Sequence, residues 1–323
     1  MKSILLALFL SAQIMAASTS KGILRAKGEY SGQDEPLLEG GLFERSSMEA
    51  SVGNPWRDKS NQQSFYFGGP VIEHPEASYT LPNSKGVSYI LGTAKPSFVS
   101  TQDYTVLRRS SRQHQHFAPL SQYTGSSSSP PRFTGAYVCN WCRYGTKPIT
   151  PSNIRWKIRD LVAKKRIPRT NLYAIHFARG VTLVASDGTE SCDPDGGFCA
   201  YHGSGYHEEK GPEWRDGGDW YAFTAVPDFR AGGCKFGCGP AVARFDNTAA
   251  IASHELVEAF TNPLIDKVDA YRPPLAWYNV WFGELADTCG IFTHKYINGS
   301  VRGDEQMTWV TSMYWSNQDE KCV

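Results

Sequence analysis

The octapeptide SHELVEAF, at residues 253–260, has the residue types and spacing of a metal-dependent hydrolase. His254 and Glu258 are four residues apart, so on a helix they share one face, about one turn apart. Imidazole and carboxylate both bind zinc. Glu255 follows the histidine as in H-E-x-x-H peptidases, where this glutamate is the general base toward a zinc-bound water. The segment predicts a zinc site with Glu255 as the catalytic base and Glu258 in place of the second histidine.

A catalytic zinc also needs a third protein ligand and an open coordination position. Downstream, GELADTC carries Glu284 and Asp287 three residues apart, and a helical turn would let both side chains face inward. Upstream, FCAYHG carries His202 close to a cysteine that we expect to be bridged. Glu284 is the first choice for the third ligand, and Asp287 and His202 remain alternatives.

The same segment also fits a purely structural role. Leu256, Val257 and Phe260 suit the apolar face of an amphipathic helix. His254 and Glu258 would then hydrogen-bond each other without a metal. Calcium in place of zinc is a further alternative, because carboxylates dominate the ligand set.

Several elements must position these residues. Helices are predicted at 151–165 and 248–260, the second capped by Asp246 or Asn247. Strands are predicted at 66–72, 87–91, 133–138, 171–177, 220–226 and 307–315, and His176 is expected to be a packed histidine of its strand. Residues 107–131 are rich in Ser, Gln and Pro and predict a long surface loop. Helices and strands alternate without a regular βαβ repeat. We therefore expect one α+β domain over residues 65–323, a mixed sheet-and-helix fold of zincin-like type stabilised by disulfides.

The amino-terminal segment predicts export. Residues 1–17 combine Lys2, an apolar stretch and the small residues Ala16 and Ala17, as in a signal peptide. Residues 18–64 are polar and aperiodic and predict a flexible leader or propeptide. The mature protein is therefore expected to be secreted and extracellular.

Eight cysteines, an even number, are expected to pair in an oxidising compartment: Cys139, Cys142, Cys192, Cys199, Cys234, Cys238, Cys289 and Cys322. Connectivity stays open, but short loops favour the pairs Cys192–Cys199 and Cys234–Cys238. Cys289–Cys322 would then tie down the carboxyl terminus, and CNWC at 139–142 would form a structural bridge. Asn298 begins a glycosylation sequon, NGS, whose composition suits an exposed loop.

Charge and hydropathy exclude two classes of partner. Lys plus Arg number 33 and Asp plus Glu number 32, so the chain lacks the positive excess of a nucleic-acid-binding protein. Beyond residue 17, no apolar run reaches the length that crosses a membrane.

Several stretches resemble the EXORDIUM family, also called the phosphate-induced protein 1 family, and related bacterial secreted proteins. They are FCAYHG (198–203), DWYAFTAVPD (219–228), CKFGC (234–238), AIASHELVEAFTNP (250–263), AWY (276–278), GELADTC (283–289) and, more distantly, GGPV (68–71). The resemblance implies a secreted, cell-wall-associated protein linked to growth signalling in plants, with no settled catalytic activity. It places recurrent polar positions of the family at His202, His254, Glu255, Glu258, Glu284 and Asp287.

Two functions therefore remain. The first is a secreted zinc-dependent hydrolase, in particular a metallopeptidase. The second is a non-enzymatic extracellular protein of EXORDIUM type that binds a protein or a cell-wall polymer through aromatic residues: Trp214, Trp220, Trp277 and Trp281.

Overall fold

The structure is a computed structural model. It describes residues 23–25, 62–73, 76–82, 88–90, 116–125, 132–137, 148–177, 181–208, 219–229, 233–239, 241, 244–267, 274–279, 281–290, 294–301 and 305–323. The helices of these residues are α1 (Ser121–Thr124), α2 (Pro151–Ala163), α3 (Cys234–Gly237) and α4 (Arg244–Thr261). Short 3₁₀ turns span Ala118–Leu120, Ile265–Lys267 and Asp287–Cys289. The strands are β1 (Ile23–Arg25), β2 (Phe65–Tyr66), β3 (Glu76–Pro82), β4 (Ser88–Ile90), β5 (Arg132–Tyr137), β6 (Leu172–His176), β7 (Phe198–Tyr206), β8 (Trp220–Val226), β9 (Trp277–Tyr278), β10 (His294–Val301), β11 (Glu305–Ser312), β12 (Trp315–Ser316) and β13 (Lys321–Cys322).

A seven-stranded mixed sheet organises the fold, which confirms the α+β class. Its strand order is β1-β7-β8-β6-β3-β4, and β5 pairs with β3. The pairs β8–β6, β6–β3 and β3–β5 are parallel, whereas β1–β7, β7–β8 and β3–β4 are antiparallel. Helix α4 packs against β7 and β8 and against β11 of the hairpin β10–β11. The candidate metal ligands on α4 therefore lie between the sheet and this hairpin.

Helix α2 confirms the helix predicted at residues 151–165, and it ends two residues earlier, at Ala163. The side chain of Thr150 accepts a hydrogen bond from the Asn153 amide, and the Asn153 side chain accepts one from the Thr150 amide. Pro151 occupies the first turn, where a missing amide hydrogen costs nothing. The pair forms a capping box that fixes the start of the helix.

Helix α4 differs from its prediction in two respects. It begins at Arg244, a turn before the predicted start, and Asn247 lies inside it. The Asn247 amide group instead exchanges two hydrogen bonds with the backbone of Ala241, at 2.9 Å each. All residues from 249 to 264 are buried, so this part of the helix has no solvent-facing side. Its apolar side chains meet Leu172 and Ala222 of the sheet and Trp315 beyond the hairpin.

Three disulfides join the described cysteines: Cys192–Cys234, Cys199–Cys238 and Cys289–Cys322. The third pairing was predicted, and the two local pairings were wrong. Cys234 and Cys238 are four residues apart across α3, so their side chains project side by side and not toward each other. Cys234 is bonded to Cys192, in the segment before β7, and Cys238 is bonded to Cys199, within β7. Cys139 and Cys142 lie outside the described residues.

Other local predictions had mixed outcomes. Strands β5, β6 and β8 confirm the strands predicted there, and His176 is buried in β6 as expected. The segment at 66–72 is mostly not a strand, because only Phe65–Tyr66 pairs, with β9. Residues 116–125 are not a surface loop, since they form two short helical turns that bury Leu120 and Tyr123. Asn298 lies within β10, opposite Thr308, and not in a loop.

Part of the predicted leader belongs to the sheet. Strand β1 pairs antiparallel with β7, with Ile23 opposite Tyr201. Residues 1–17, the predicted signal peptide, lie outside the described residues. Among the helices that the structure describes, none is both long and apolar enough to cross a membrane.

Candidate metal centre

Six side chains predicted from the sequence meet in one buried cluster. Helix α4 supplies three of them, β7 supplies one, and the turn leading into the 3₁₀ turn Asp287–Cys289 supplies two; they are His202, His254, Glu255, Glu258, Glu284 and Asp287. Five are fully buried as side chains, and only Asp287 keeps a small exposed fraction, 11%. Two imidazoles and four carboxylates without bulk water constitute an expensive arrangement unless a cation or protons neutralise it.

One half of the cluster surrounds His254. Its Nε2 lies 2.8 Å from Glu258 Oε1 and 3.5 Å from Asp287 Oδ1. Its Nδ1 lies 3.3 Å from the hydroxyl of Ser312, and that hydroxyl donates its own hydrogen to the Met313 carbonyl at 3.1 Å. Because the hydroxyl donates its hydrogen to Met313, its oxygen can accept a hydrogen from Nδ1. In the neutral ring, the lone pair of Nε2 then faces two carboxylate oxygens.

The other half surrounds His202. Its Nδ1 lies 3.3 Å from Glu255 Oε2 and 3.6 Å from Glu258 Oε2. Its Nε2 lies 3.4 Å from Glu284 Oε1 and 3.3 Å from the carbonyl oxygen of Asn262. Glu258 thus presents one oxygen to each histidine.

Several polar atoms in the cluster are buried without a hydrogen-bond partner. They are His254 Nε2, Glu255 Oε1, both carboxylate oxygens of Glu258, and Glu284 Oε2. The 2.8 Å contact between His254 and Glu258 does not relieve this, since its geometry is not that of a hydrogen bond. Buried polar atoms in folded proteins nearly always have a hydrogen-bond partner. These unpartnered nitrogen and oxygen atoms therefore indicate a cation that they bind in common.

The pKa values in the cluster move upward for both kinds of group. Burial raises the pKa of Glu255 and of Glu258, and for Glu258 the nearby Asp287 and Glu284 carboxylates raise it further. Burial alone would lower the pKa of His254 and His202, but the surrounding carboxylates outweigh it and raise both well above the usual range. The cluster therefore attracts positive charge, and a metal ion would compete with protons for it.

Two supporting residues were missed as site residues by the sequence analysis, namely Ser312 and Asn262. The Asn262 side chain donates to Glu284 Oε1 and accepts from the Ala276 amide, both at 2.9 Å. Its backbone amide donates to the Glu258 carbonyl at 2.7 Å. Asn262, the residue that follows α4, thus connects the end of this helix to Glu284 and to the segment before β9. Its position directly before a proline suggested only the end of a helix.

The turn that carries the two downstream carboxylates is fixed by Gly283. This glycine has φ of +102°, and a Cβ there would lie 2.5 Å from Asp287 Oδ2. The Glu284 amide donates to the same oxygen at 3.2 Å. The Cys289–Cys322 disulfide and a hydrogen bond of 3.0 Å from the Trp315 amide to the Leu285 carbonyl attach the turn to the carboxyl terminus.

The geometry divides the predicted ligands into two groups that share one residue. His254, Glu258 and Asp287 form one group, and His202, Glu258 and Glu284 form the other. Asp287, not Glu284, is the carboxylate that faces His254. Glu255 belongs to neither group.

Comparison of the chain with protein-family models, with curated proteins and with solved structures finds no match.

The aromatic residues proposed as a binding surface lie in different environments. Trp214 is outside the described residues, whereas Trp220 and Trp277 are half-buried. Trp281 is 64% exposed. Phe65 and Tyr66, which the sequence analysis did not single out, are also exposed, and the Tyr66 ring lies 5.3 Å from that of Trp277.

Proposed function

We propose that the protein is a secreted zinc-dependent hydrolase of metallopeptidase type, with zinc bound by His254, Glu258 and Asp287. The observation that carries the proposal is the orientation of His254. Its Nδ1–H is held by Ser312, so its Nε2 lone pair points toward two carboxylate oxygens in a buried site. Metal-binding histidines commonly donate their second ring hydrogen to a neighbouring acceptor in this way.

The ligand distances support a small divalent cation. Atoms bound tetrahedrally to zinc at about 2.0–2.1 Å lie about 3.3 Å from one another. The separations from His254 Nε2 to Glu258 and Asp287, 2.8 and 3.5 Å, bracket that value. Three protein ligands leave a fourth position for water, and Asp287 lies on the side where the cluster reaches solvent.

Glu255 is the general base of the proposed reaction. Its Oε2 lies 3.3 Å from His202 Nδ1, and its Oε1 has no hydrogen-bond partner. The metal would supply polarisation of the peptide carbonyl and of the attacking water. Glu255 accepts a proton from that water as its oxygen bonds to the carbonyl carbon, and it then donates the proton to the leaving amine as the C–N bond breaks. Burial raises the pKa of Glu255, which makes its carboxylate a stronger base toward the water.

The surroundings are consistent with secretion and with a zincin-like arrangement. Helix α4, which carries the sequence HELVE, packs against β7 and β8 of the sheet. Three disulfides join the described cysteines. Disulfides form and persist in oxidising compartments. The EXORDIUM resemblance implies the same compartment.

Two variants at adjacent positions test the proposal. His254→Ala should remove zinc from the purified secreted protein and lower its melting temperature, because a metal bound only by the folded state stabilises it by mass action. Glu255→Gln should keep the zinc and the melting temperature but lose at least a hundredfold in hydrolysis of a casein substrate. A wild-type protein that is metal-free or does not hydrolyse casein would refute the hydrolase, and a Glu255→Gln variant of full activity would refute the role of Glu255 as the base.

A second candidate function is supported by the exposed aromatic residues. Tyr66 and Trp281 are 53% and 64% exposed, and both lie near β9. Aromatic faces of this kind would suit a cell-wall polysaccharide in a non-enzymatic protein of EXORDIUM type. Sedimentation with insoluble wall polymer should then fall for Trp281→Ala. The matched control is Trp156→Ala, since Trp156 is 58% exposed on α2. Equal sedimentation of both variants would reject this function.

A further inference from the structure

We propose that the cluster holds two divalent cations, with Glu258 bridging them and the second cation bound by His202, Glu258 and Glu284. This inference rests on the proposed zinc site at His254 and extends it. It assigns ligand roles to residues that the single-zinc site leaves without one.

The two oxygens of Glu258 carry the argument. Oε1 lies 2.8 Å from His254 Nε2, and Oε2 lies 3.6 Å from His202 Nδ1. Both oxygens are buried and neither has a hydrogen-bond partner. One metal at His254 would satisfy only the first oxygen. A carboxylate that bridges two metals uses both.

His202 is held in the same manner as His254. Its Nε2 lies 3.3 Å from the backbone carbonyl oxygen of Asn262 and 3.4 Å from Glu284 Oε1, and since both oxygens accept, we place the ring hydrogen on Nε2. In the neutral ring, the Nδ1 lone pair then faces Glu255 Oε2 and Glu258 Oε2. With the ring hydrogens placed in this way, His254 Nε2 and His202 Nδ1 each direct a lone pair toward carboxylates, which is the arrangement of a metal ligand.

Glu284 completes the second group of ligands. Its Oε1 accepts a hydrogen bond from the Asn262 side chain, and its Oε2 is buried without a partner. The backbone carbonyl oxygen of the same asparagine contacts His202 Nε2 and orients that ring. Asn262 thus fixes two ligands of the second cation, as outer residues commonly do at metal sites.

The charge of the cluster favours two cations over one. Glu255, Glu258, Glu284 and Asp287 carry four negative charges when ionised, and a single zinc ion leaves two of them uncompensated in a buried site. Two divalent cations give neutrality. In two-metal hydrolases the ions lie about 3.5–4 Å apart and share the polarisation of water and substrate.

Metal stoichiometry tests the second cation independently of hydrolysis. The wild-type protein is stripped with a chelator, reloaded with Zn²⁺ alone, gel-filtered and analysed for zinc per chain. We expect two zinc ions in the wild type and one in His202→Gln and in Glu284→Gln. His207→Gln is the matched control, because His207 lies just beyond β7 and contacts Thr170, outside the cluster. It should keep two.

Cobalt substitution tests the bridge without any variant. When Co²⁺ replaces zinc in the wild type, the electron paramagnetic resonance intensity per cobalt should fall as the second equivalent binds, because a shared carboxylate couples the two ions.

The outcomes separate the two proposals. One zinc per chain, lost in His254→Ala and kept in His202→Gln, would overturn the second cation and leave the proposed function standing. Two cobalt ions of undiminished intensity would overturn the bridge. A wild type that binds no zinc would overturn both.

Discussion

Ser312 determines the orientation of the His254 ring. Ser312 lies 58 residues away in sequence, at the end of β11, and its hydroxyl accepts the Nδ1 hydrogen of the ring. The Ser253 hydroxyl accepts a hydrogen bond from the Ser312 amide at 2.8 Å, which fastens the hairpin strand to α4. The ring is therefore oriented before any metal binds. The sequence could predict His254 from its spacing to Glu258, but nothing in a strand-like segment marks Ser312 as its partner.

Replacing Ser312 by Ala should weaken zinc binding by about 10–100-fold, because the ring loses its orienting acceptor. The variant should also lose about 1–3 kcal/mol of unfolding free energy, since a buried N–H is left unsatisfied. Competition with a chromophoric chelator measures the affinity. Ser316→Ala is the control, because Ser316 is equally buried and hydrogen-bonds Gln122 and Asp319 instead. Unchanged zinc affinity in Ser312→Ala would contradict the assigned role.

His176 gives the folded protein a pH dependence that is separate from the metal. Burial lowers its pKa to about 4 from the ordinary value of 6.5. In the unfolded chain, His176 therefore binds a proton below about pH 6.5, whereas in the folded chain it binds one only below about pH 4. Stability should fall as pH drops through this window, by on the order of 3 kcal/mol. Urea unfolding at pH 7 and pH 4.5 should show a smaller loss for His176→Gln than for the wild type. An equal loss would mean that His176 does not contribute.

Among the helices and strands, those whose apolar residues follow a clear period could be predicted from the sequence. Helix α2 and strands β6 and β8 follow regular apolar patterns and are found where expected. Strand β7 was missed because it is buried on both faces and contains three glycine or serine positions that indicate a loop. The structure explains one of them: a Cβ at Gly205 would lie 2.5 Å from the Tyr221 hydroxyl on β8. The contact depends on strand pairing, which no local pattern reveals.

The turn before Asp287 allows a test at the same scale. Gly283→Ala should strain the backbone, because its φ is +102°, and should also displace Asp287 Oδ2. We expect a loss of about 1–3 kcal/mol in stability together with weaker zinc binding. Gly188→Ala separates the two effects, since Gly188 has φ of +86° but nothing within 4 Å of its added Cβ. If both variants bind zinc equally well, the position of Asp287 does not matter for the metal.

For the molecule as a whole, the cysteines connect compartment to stability. The even count predicted disulfides, but the pairing depends on the α3 segment lying beside the start of β7 and the residues before it. Peptide mapping of the unreduced protein should recover Cys192–Cys234, Cys199–Cys238 and Cys289–Cys322. Each bond is expected to contribute about 2–4 kcal/mol, so reduction should lower the melting temperature markedly. Recovery of Cys192–Cys199 peptides would contradict the arrangement around α3.

The central claim is that the buried cluster binds a metal through His254, Glu258 and Asp287. Anomalous diffraction at the zinc absorption edge, from crystals of the protein grown without added metal, tests it most directly. The account predicts an anomalous peak about 2.0–2.2 Å from His254 Nε2 and from an oxygen of each carboxylate. The absence of a peak, with direct hydrogen bonds between these side chains instead, would contradict it.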